Sequence, residues 1–179
     1  VAVSPTYARE ILTPAFGSGL QEFLSSRADT ISGILNGIDM GRWNPATDAT
    51  LAANFDSQNL SARQTNKMVL ANELGLSFNP SIPLLAMITR MDYQKGIDLA
   101  LDALQLLAEE KWQIIFLGTG SRQLEEATRQ LEQIFPDRVR AVTRFDAQLS
   151  RHIYAGADAM LIPSRYEPCG LVQMIAMRY

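Results

Sequence analysis

Three stretches of the sequence carry residue types suited to handling a phosphate or a sugar. In TRMDYQKG (89–96), Arg90 and Lys95 lie between an apolar run and a helical one, with Gly96 at the helix start. Two cations beside a helix N-terminus, whose unpaired amides carry partial positive charge, suit a phosphate or diphosphate. The plainer reading is two solvated loop residues, since cations are common in loops. In IPSRYEPCGLVQM (162–174), Pro168 keeps Glu167 out of the right-handed helical region, so the carboxylate stands on an extended or turn segment. Gly170 lets the backbone approach closely, and the amides of Gly170 and Leu171 at the next helix start would face an anion or a sugar hydroxyl. Glu167 is equally readable as a helix-start acid that compensates the dipole. In FLGTGSRQ (116–123), Gly118 and Gly120 form Gly-x-Gly, but Gln123 stands where a dinucleotide-binding fingerprint has its third glycine. That weakens a nicotinamide reading and leaves a tight turn or the close approach of a ligand or the next helix.

Lesser candidates surround these three. Asn36, in GILNGID, is a turn residue by type, and its amide also suits a sugar hydroxyl. Phe145 offers a stacking face for a base, although core packing is the commoner fate of a phenylalanine. Cys169, the only cysteine, reads as structural, because His152, the only histidine, sits on a helical stretch with no sign of pairing. No metal-ligand spacing occurs, so no metal and no cofactor are expected.

The elements that must position these residues follow from hydrophobic periodicity. Apolar runs at 83–90, 112–118, 138–143 and 158–163 read as strands, and helical patterns fill 97–111, 121–135 and 147–157. Such alternation predicts an α/β fold with a parallel sheet and helices on both faces, which binds ligands at the carboxyl ends of its strands. The first eighty residues are less regular. VAVS (1–4) reads as a strand end leading into a helix from Pro5, 31–39 as a strand followed by an Asn-Gly turn, and 59–76 as a helix closed by Gly75. MGRWNPATDAT, polar and containing proline, looks like a linker.

Composition narrows the function classes. With 179 residues, 47% hydrophobic and 20% charged, the chain can bury a sizeable core, and a formal net charge of −3 gives no electrostatic footprint for nucleic acid. The apolar runs fall short of the ~20 residues needed to cross a bilayer, and no basic cluster suggests a membrane surface. One cysteine rules out an internal disulfide and fits a reducing compartment. A start at Val1 and a finish within an apolar run suggest a piece of something longer.

Taken together, ITRMDYQKGIDL, FLGTGS, YAGADAMLIPSRYEPCGL and GILNGID resemble the bacterial glycogen synthase and plant starch synthase family, in order and along essentially the whole chain. The resemblance implies a GT-B architecture of two facing Rossmann-like halves. Residues 1–40 would be the end of the N-terminal domain and the hinge, and 41–179 a nucleotide-sugar-binding domain incomplete at its C-terminus. It implies transfer of glucose from ADP-glucose to the non-reducing end of an α-1,4-glucan with retention. Arg90 and Lys95 would hold the diphosphate and stabilise the departing nucleotide, and Glu167 would contact the donor glucose. Gly170 and Leu171 would meet the donor sugar or its phosphate, Asn36 would lie near the glucose and Phe145 beside adenine, with Gly118 and Cys169 completing the donor-binding set. Two departures matter: Ile175 stands where related retaining transferases carry a second Glu, and Val172 where many members have Thr. A KTGGL-type N-terminal loop and a second glycine-rich loop are also missing, so this piece alone is expected to be inactive. Its compartment would be the cytoplasm in a bacterium or the plastid stroma in a plant or alga. Another nucleotide sugar, or a non-catalytic nucleotide- or glucan-binding module, are the alternatives.

Overall fold

A computed structural model describes residues 1–179. The first forty residues form two short helices, α1 (Pro5–Glu10) and α2 (Gln21–Ser25), and a 3-10 turn at Ala28–Thr30. α1 begins as its sequence requires: Ser4 accepts a hydrogen bond from the Tyr7 amide at 2.9 Å, and Pro5 occupies the first turn. Neither VAVS nor 31–39 becomes a strand, and Ala2 and Gly33 share only an isolated parallel bridge. Asn36 and Gly37 do not take the positive φ expected of an Asn-Gly turn.

The remainder alternates as expected. α3 (Arg63–Glu73) is followed by Gly75 in the left-handed region, φ 68°. Then come β1 (Leu84–Ile88), a 3-10 turn at Tyr93–Lys95, α4 (Ile97–Leu106), β2 (Gln113–Leu117) and α5 (Arg122–Ile134). β3 (Val139–Val142), α6 (Ala147–Gly156), β4 (Ala159–Met160) and α7 (Leu171–Arg178) complete the chain. α4 stops short of the expected 111. The carbonyls beyond its end accept from side chains instead: Leu107 from Trp112 Nε1 at 2.7 Å, and Ala108 and Glu110 from Arg138 at 2.7 and 3.0 Å.

All four strands are parallel, in the order β3-β2-β1-β4. Period-two alternation divides the core between the two faces. Ile115 and Leu117 of β2 join Leu84 and Ala86 of β1 under α3 and α6, while Ile114 and Phe116 join Met87 under α4 and α5. Both faces are covered, which accounts for the continuous apolar strands. At the amino end of β1, buried Lys67 of α3 donates to Asp158 Oδ2 at 2.6 Å and to the Ile82 carbonyl at 2.7 Å, and the Leu84 amide donates to the same Asp158 oxygen.

The expected linker at 40–50 is in fact part of a docked strap. Asn66 of α3 exchanges hydrogen bonds with the Ala53 backbone, and Asp48 is buried against Arg151 and Tyr179. Trp43 meets Tyr154 and Tyr179 edge-on, and Phe55, Ile175 and Ala155 fill out this third apolar cluster. Polar composition misleads here because the strap is held by a few buried polar and aromatic anchors and not by an apolar face.

Candidate functional site

Loops leaving the carboxyl ends of β1, β2, β3 and β4 converge on one side of the sheet. After β2 the chain stays paired with the loop after β1: the Met91 amide donates to Thr119 O at 3.0 Å and the Ser121 amide to Met91 O at 2.7 Å. This approach is what Gly118 and Gly120 permit. A Cβ on Gly118 would lie 1.8 Å from Thr89 O, and one on Gly120 2.4 Å from Met91 O. The glycines thus accommodate the neighbouring strand's loop, an outcome that neither the ligand nor the helix reading anticipated. Glu125 closes the same turn by accepting from the Thr119 hydroxyl at 2.5 Å and the Gly120 amide at 2.9 Å, contacts that hold its carboxyl below the usual range.

Because β4 lies beside β1, Lys95 and Glu167 meet although 72 residues separate them. Lys95 Nζ stands 2.8 Å from Glu167 Oε2, and the Ser164 hydroxyl donates to the same oxygen at 3.0 Å. Both donors reach Oε2, and no protein hydrogen bond ends on Oε1. These side chains line a small cavity of about 20 Å³ together with Thr89 and Val172. Thr89, Ile88 and Val172 also line a larger cleft of about 490 Å³, so Val172 stands at the boundary of the two spaces.

Arg90, Gly118 and Phe145 border the larger cleft. Arg90 is 66% exposed and pairs with Asp92, whose other oxygen accepts from the Lys95 amide and starts the 3-10 turn. Phe145 is 85% exposed, so core packing is not its role. Gly170, at φ 87°, is the N-cap of α7, and no side chain caps the amides that follow. Leu171 is exposed at that helix start. Cys169 is a partly buried free thiol that lines neither space, and Asn36 is exposed on the irregular segment before the strap and also lines neither. No group of three His, Cys, Asp or Glu side chains converges as a metal site, and no helix is long and apolar enough to cross a membrane. His152 bridges Glu73 and the Thr50 carbonyl, each at 2.9 Å, away from the cleft.

Sequence reasoning missed the far wall of the cleft, which Arg42, Trp43, Arg151 and Tyr154 supply. Arg151 lies 4.5 Å over the Trp43 ring and donates to Asp48 Oδ2 at 2.6 Å. The one available signal was a tryptophan in a polar stretch, since so large a ring seldom stays unpacked. Residues 1–40 also reach the site region, with Phe16 stacking on Tyr166, the residue before Glu167, at 4.8 Å.

A doubly wound sheet whose carboxyl-end loops carry two cations, a carboxylate and an uncapped helix start offers binding groups suited to an anionic ligand. Comparison with known proteins gives the family. Residues 82–179 match the family described as glycosyl transferases group 1, and the chain belongs to it. It is 52% identical over 179 residues to a glycogen synthase of Aromatoleum aromaticum, matching 100% of this chain and 36% of that protein. It is 45% identical over 179 residues to soluble starch synthase 1, chloroplastic/amyloplastic, of Solanum tuberosum, again 100% of this chain and 28% of the relative. The catalytic domain of starch synthase IV from Arabidopsis thaliana, bound to ADP and acarbose, superposes with a TM-score of 0.92 at 43% identity, covering 99% of this chain and 37% of that one. The chain thus spans about a third of the length of these relatives. Its fold is the expected Rossmann-like parallel sheet flanked by helices, as in the C-terminal half of a GT-B fold.

Proposed function

We propose that this chain is the donor-binding part of a retaining glucosyltransferase that carries glucose from ADP-glucose to the non-reducing end of an α-1,4-glucan. The observation that carries the reading is the Lys95–Glu167 pair, 2.8 Å apart, at the adjoining carboxyl ends of β1 and β4. Arg90 stands earlier in the loop after β1, beside the larger cleft, and α7 starts four residues after Glu167.

Departure of ADP leaves negative charge on the diphosphate. Lys95, Arg90 and the first amides of α7 supply fixed positive charge where it develops, and such preorganised charge favours the transition state over the ground state. The reading therefore assigns no metal and no organic cofactor. Glu167, fixed through Oε2 by Lys95 and Ser164, keeps Oε1 for a glucose hydroxyl and opposes the positive charge that grows near the anomeric carbon. The base lies against the exposed Phe145 face in the larger cleft, and Asn36 is proposed as a further contact to the glucose. The acceptor glucan meets the remainder of the longer protein. Similarity to bacterial glycogen synthases and a plastid starch synthase supports cytoplasm in a bacterium or plastid stroma in a plant or alga.

Calorimetric titration of this chain with ADP, UDP and GDP tests the donor class. ADP is expected to bind at least about tenfold more tightly than either competitor, a difference of ~1.4 kcal/mol. A preference for UDP or GDP would move the reading to another nucleotide sugar.

A further inference from the structure

Around the Lys95–Glu167 pair, the loop after β1 and the loop after β4 are joined by several further contacts. Arg165 forks onto Asp98, in the first turn of α4, with Nη1–Oδ1 at 2.8 Å and Nη2–Oδ2 at 2.7 Å. The same Nη1 donates to the Tyr93 carbonyl at 2.8 Å, and the guanidinium lies 3.7 Å from the Tyr93 ring centroid. Two further links run alongside, one from backbone and one from a side chain: the Arg165 amide donates to Gln94 O, and Gln94 Nε2 donates to Tyr166 O, each at 2.8 Å. Gly96, at φ 70°, completes the approach, since a Cβ there would lie 2.2 Å from Pro163 O.

We propose that Arg165 is a positioning residue which, with Asp98, clamps residues 93–98 to residues 163–167 and thereby fixes the placement of Lys95 against Glu167. The inference rests on the donor-site reading above. Arg165 and Asp98 keep about a third of their side-chain surface in solvent (29% and 32%), where an ion pair adds little to folding stability. The contacts are nevertheless specific in geometry, because a planar fork, a stacked ring and a carbonyl together admit one orientation of the loop. Lys95 and Glu167 lie on the two joined loops, one residue from Gln94 and two from Arg165 respectively. A shift of about an ångström in such a pair is enough to cost a large factor in rate.

The experiment uses the A. aromaticum glycogen synthase with this chain in place of its matching span, so that a complete enzyme is assayed. Arg165→Ala and Asp98→Ala are each expected to lower kcat about tenfold with KM for ADP-glucose changed less than about threefold, and the double variant to be no worse than the poorer single, as for two halves of one device. Arg165→Lys, which keeps the charge and loses the fork, should behave like Arg165→Ala. Asp98→Asn, which keeps the volume, gives a second variant should Asp98→Ala fold poorly. Melting temperatures should stay within about 3 °C of the parent. Unchanged kcat in Arg165→Ala, full activity in Arg165→Lys, multiplicative losses in the double variant, or losses that track melting temperature would each overturn the clamp. Lys95→Ala in the same background separates the two claims. If it too is fully active the donor-site reading fails, whereas if it is impaired and Arg165→Ala is not, only the clamp fails.

Discussion

Lys95→Ala, in the same chimeric enzyme, lowers kcat by about 10²- to 10³-fold, the range seen when one preorganised donor to a developing anion is removed. KM for ADP-glucose rises by a smaller factor, because the ammonium matters most when the diphosphate carries its full leaving-group charge. The geometry supports an effect at the upper end. Lys95 is largely buried, its amide is fixed by Asp92, and its only side-chain partner is Glu167 at 2.8 Å. Removing the ammonium also leaves the Glu167 carboxylate with Ser164 alone on Oε2, so the acid loses its orientation together with the cation. Lys95→Arg keeps the charge but brings a planar fork into a space of about 20 Å³, and it is expected to restore little. Steady-state kinetics of the three proteins checks this. A Lys95→Ala variant within fivefold of the parent would remove Lys95 from the chemistry.

Asp48→Ala produces the largest loss of stability expected of any substitution in the strap. Asp48, with 3% of its side chain exposed, accepts from Tyr179 Oη at 2.5 Å, Arg151 Nη1 at 2.6 Å, and the Thr50 hydroxyl and amide at 2.7 and 3.1 Å. Truncation strands a half-buried guanidinium and a buried phenol, and breaking a buried pair of this kind costs on the order of 3–5 kcal/mol. For a chain of this length that corresponds to a fall in Tm of roughly 10 °C, measurable by calorimetry or circular dichroism. A fall below about 2 °C would mean that the other anchors, among them Trp43, Phe55 and Asn66, hold the strap without Asp48.

The same carboxylate gives the strap an acid limit. Burial by itself would raise the Asp48 pKa, but hydrogen bonds from Tyr179, Thr50 and Arg151 outweigh it and hold the group at about 2, below its ordinary 3.8. A folded-state pKa below the unfolded one contributes stability that is present above about pH 4 and is lost as pH falls through about 2. Asp48→Asn should therefore flatten the parent's loss of stability between pH 4 and 2.

The sheet was legible because each strand is a short apolar run bounded by a helical pattern. Strand ends are also where such folds place their ligands, which directed attention to Arg90, Lys95 and Glu167. The contact between Lys95 and Glu167 was not itself legible, since it depends on β4 lying beside β1, and strand order is a tertiary property. The strap was misread for a related reason. Its docking hangs on Asp48–Arg151, a pair 103 residues apart in sequence, and nothing local to MGRWNPATDAT reveals that Asp48 is buried. Gly118 and Gly120 were recognised as close-approach positions, but the approaching group is the backbone of Thr89 and Met91. Asn36 lies outside the cleft, on a segment whose φ values follow no Asn-Gly turn.

The most direct test of the central claim is a crystal structure of this chain with ADP bound. The diphosphate is expected within hydrogen-bond reach of Lys95 Nζ and the Gly170 and Leu171 amides, with the adenine against Phe145 in the cleft of about 490 Å³. Nucleotide density elsewhere on the surface, or a diphosphate in that cleft that contacts neither Lys95 nor the start of α7, would contradict it.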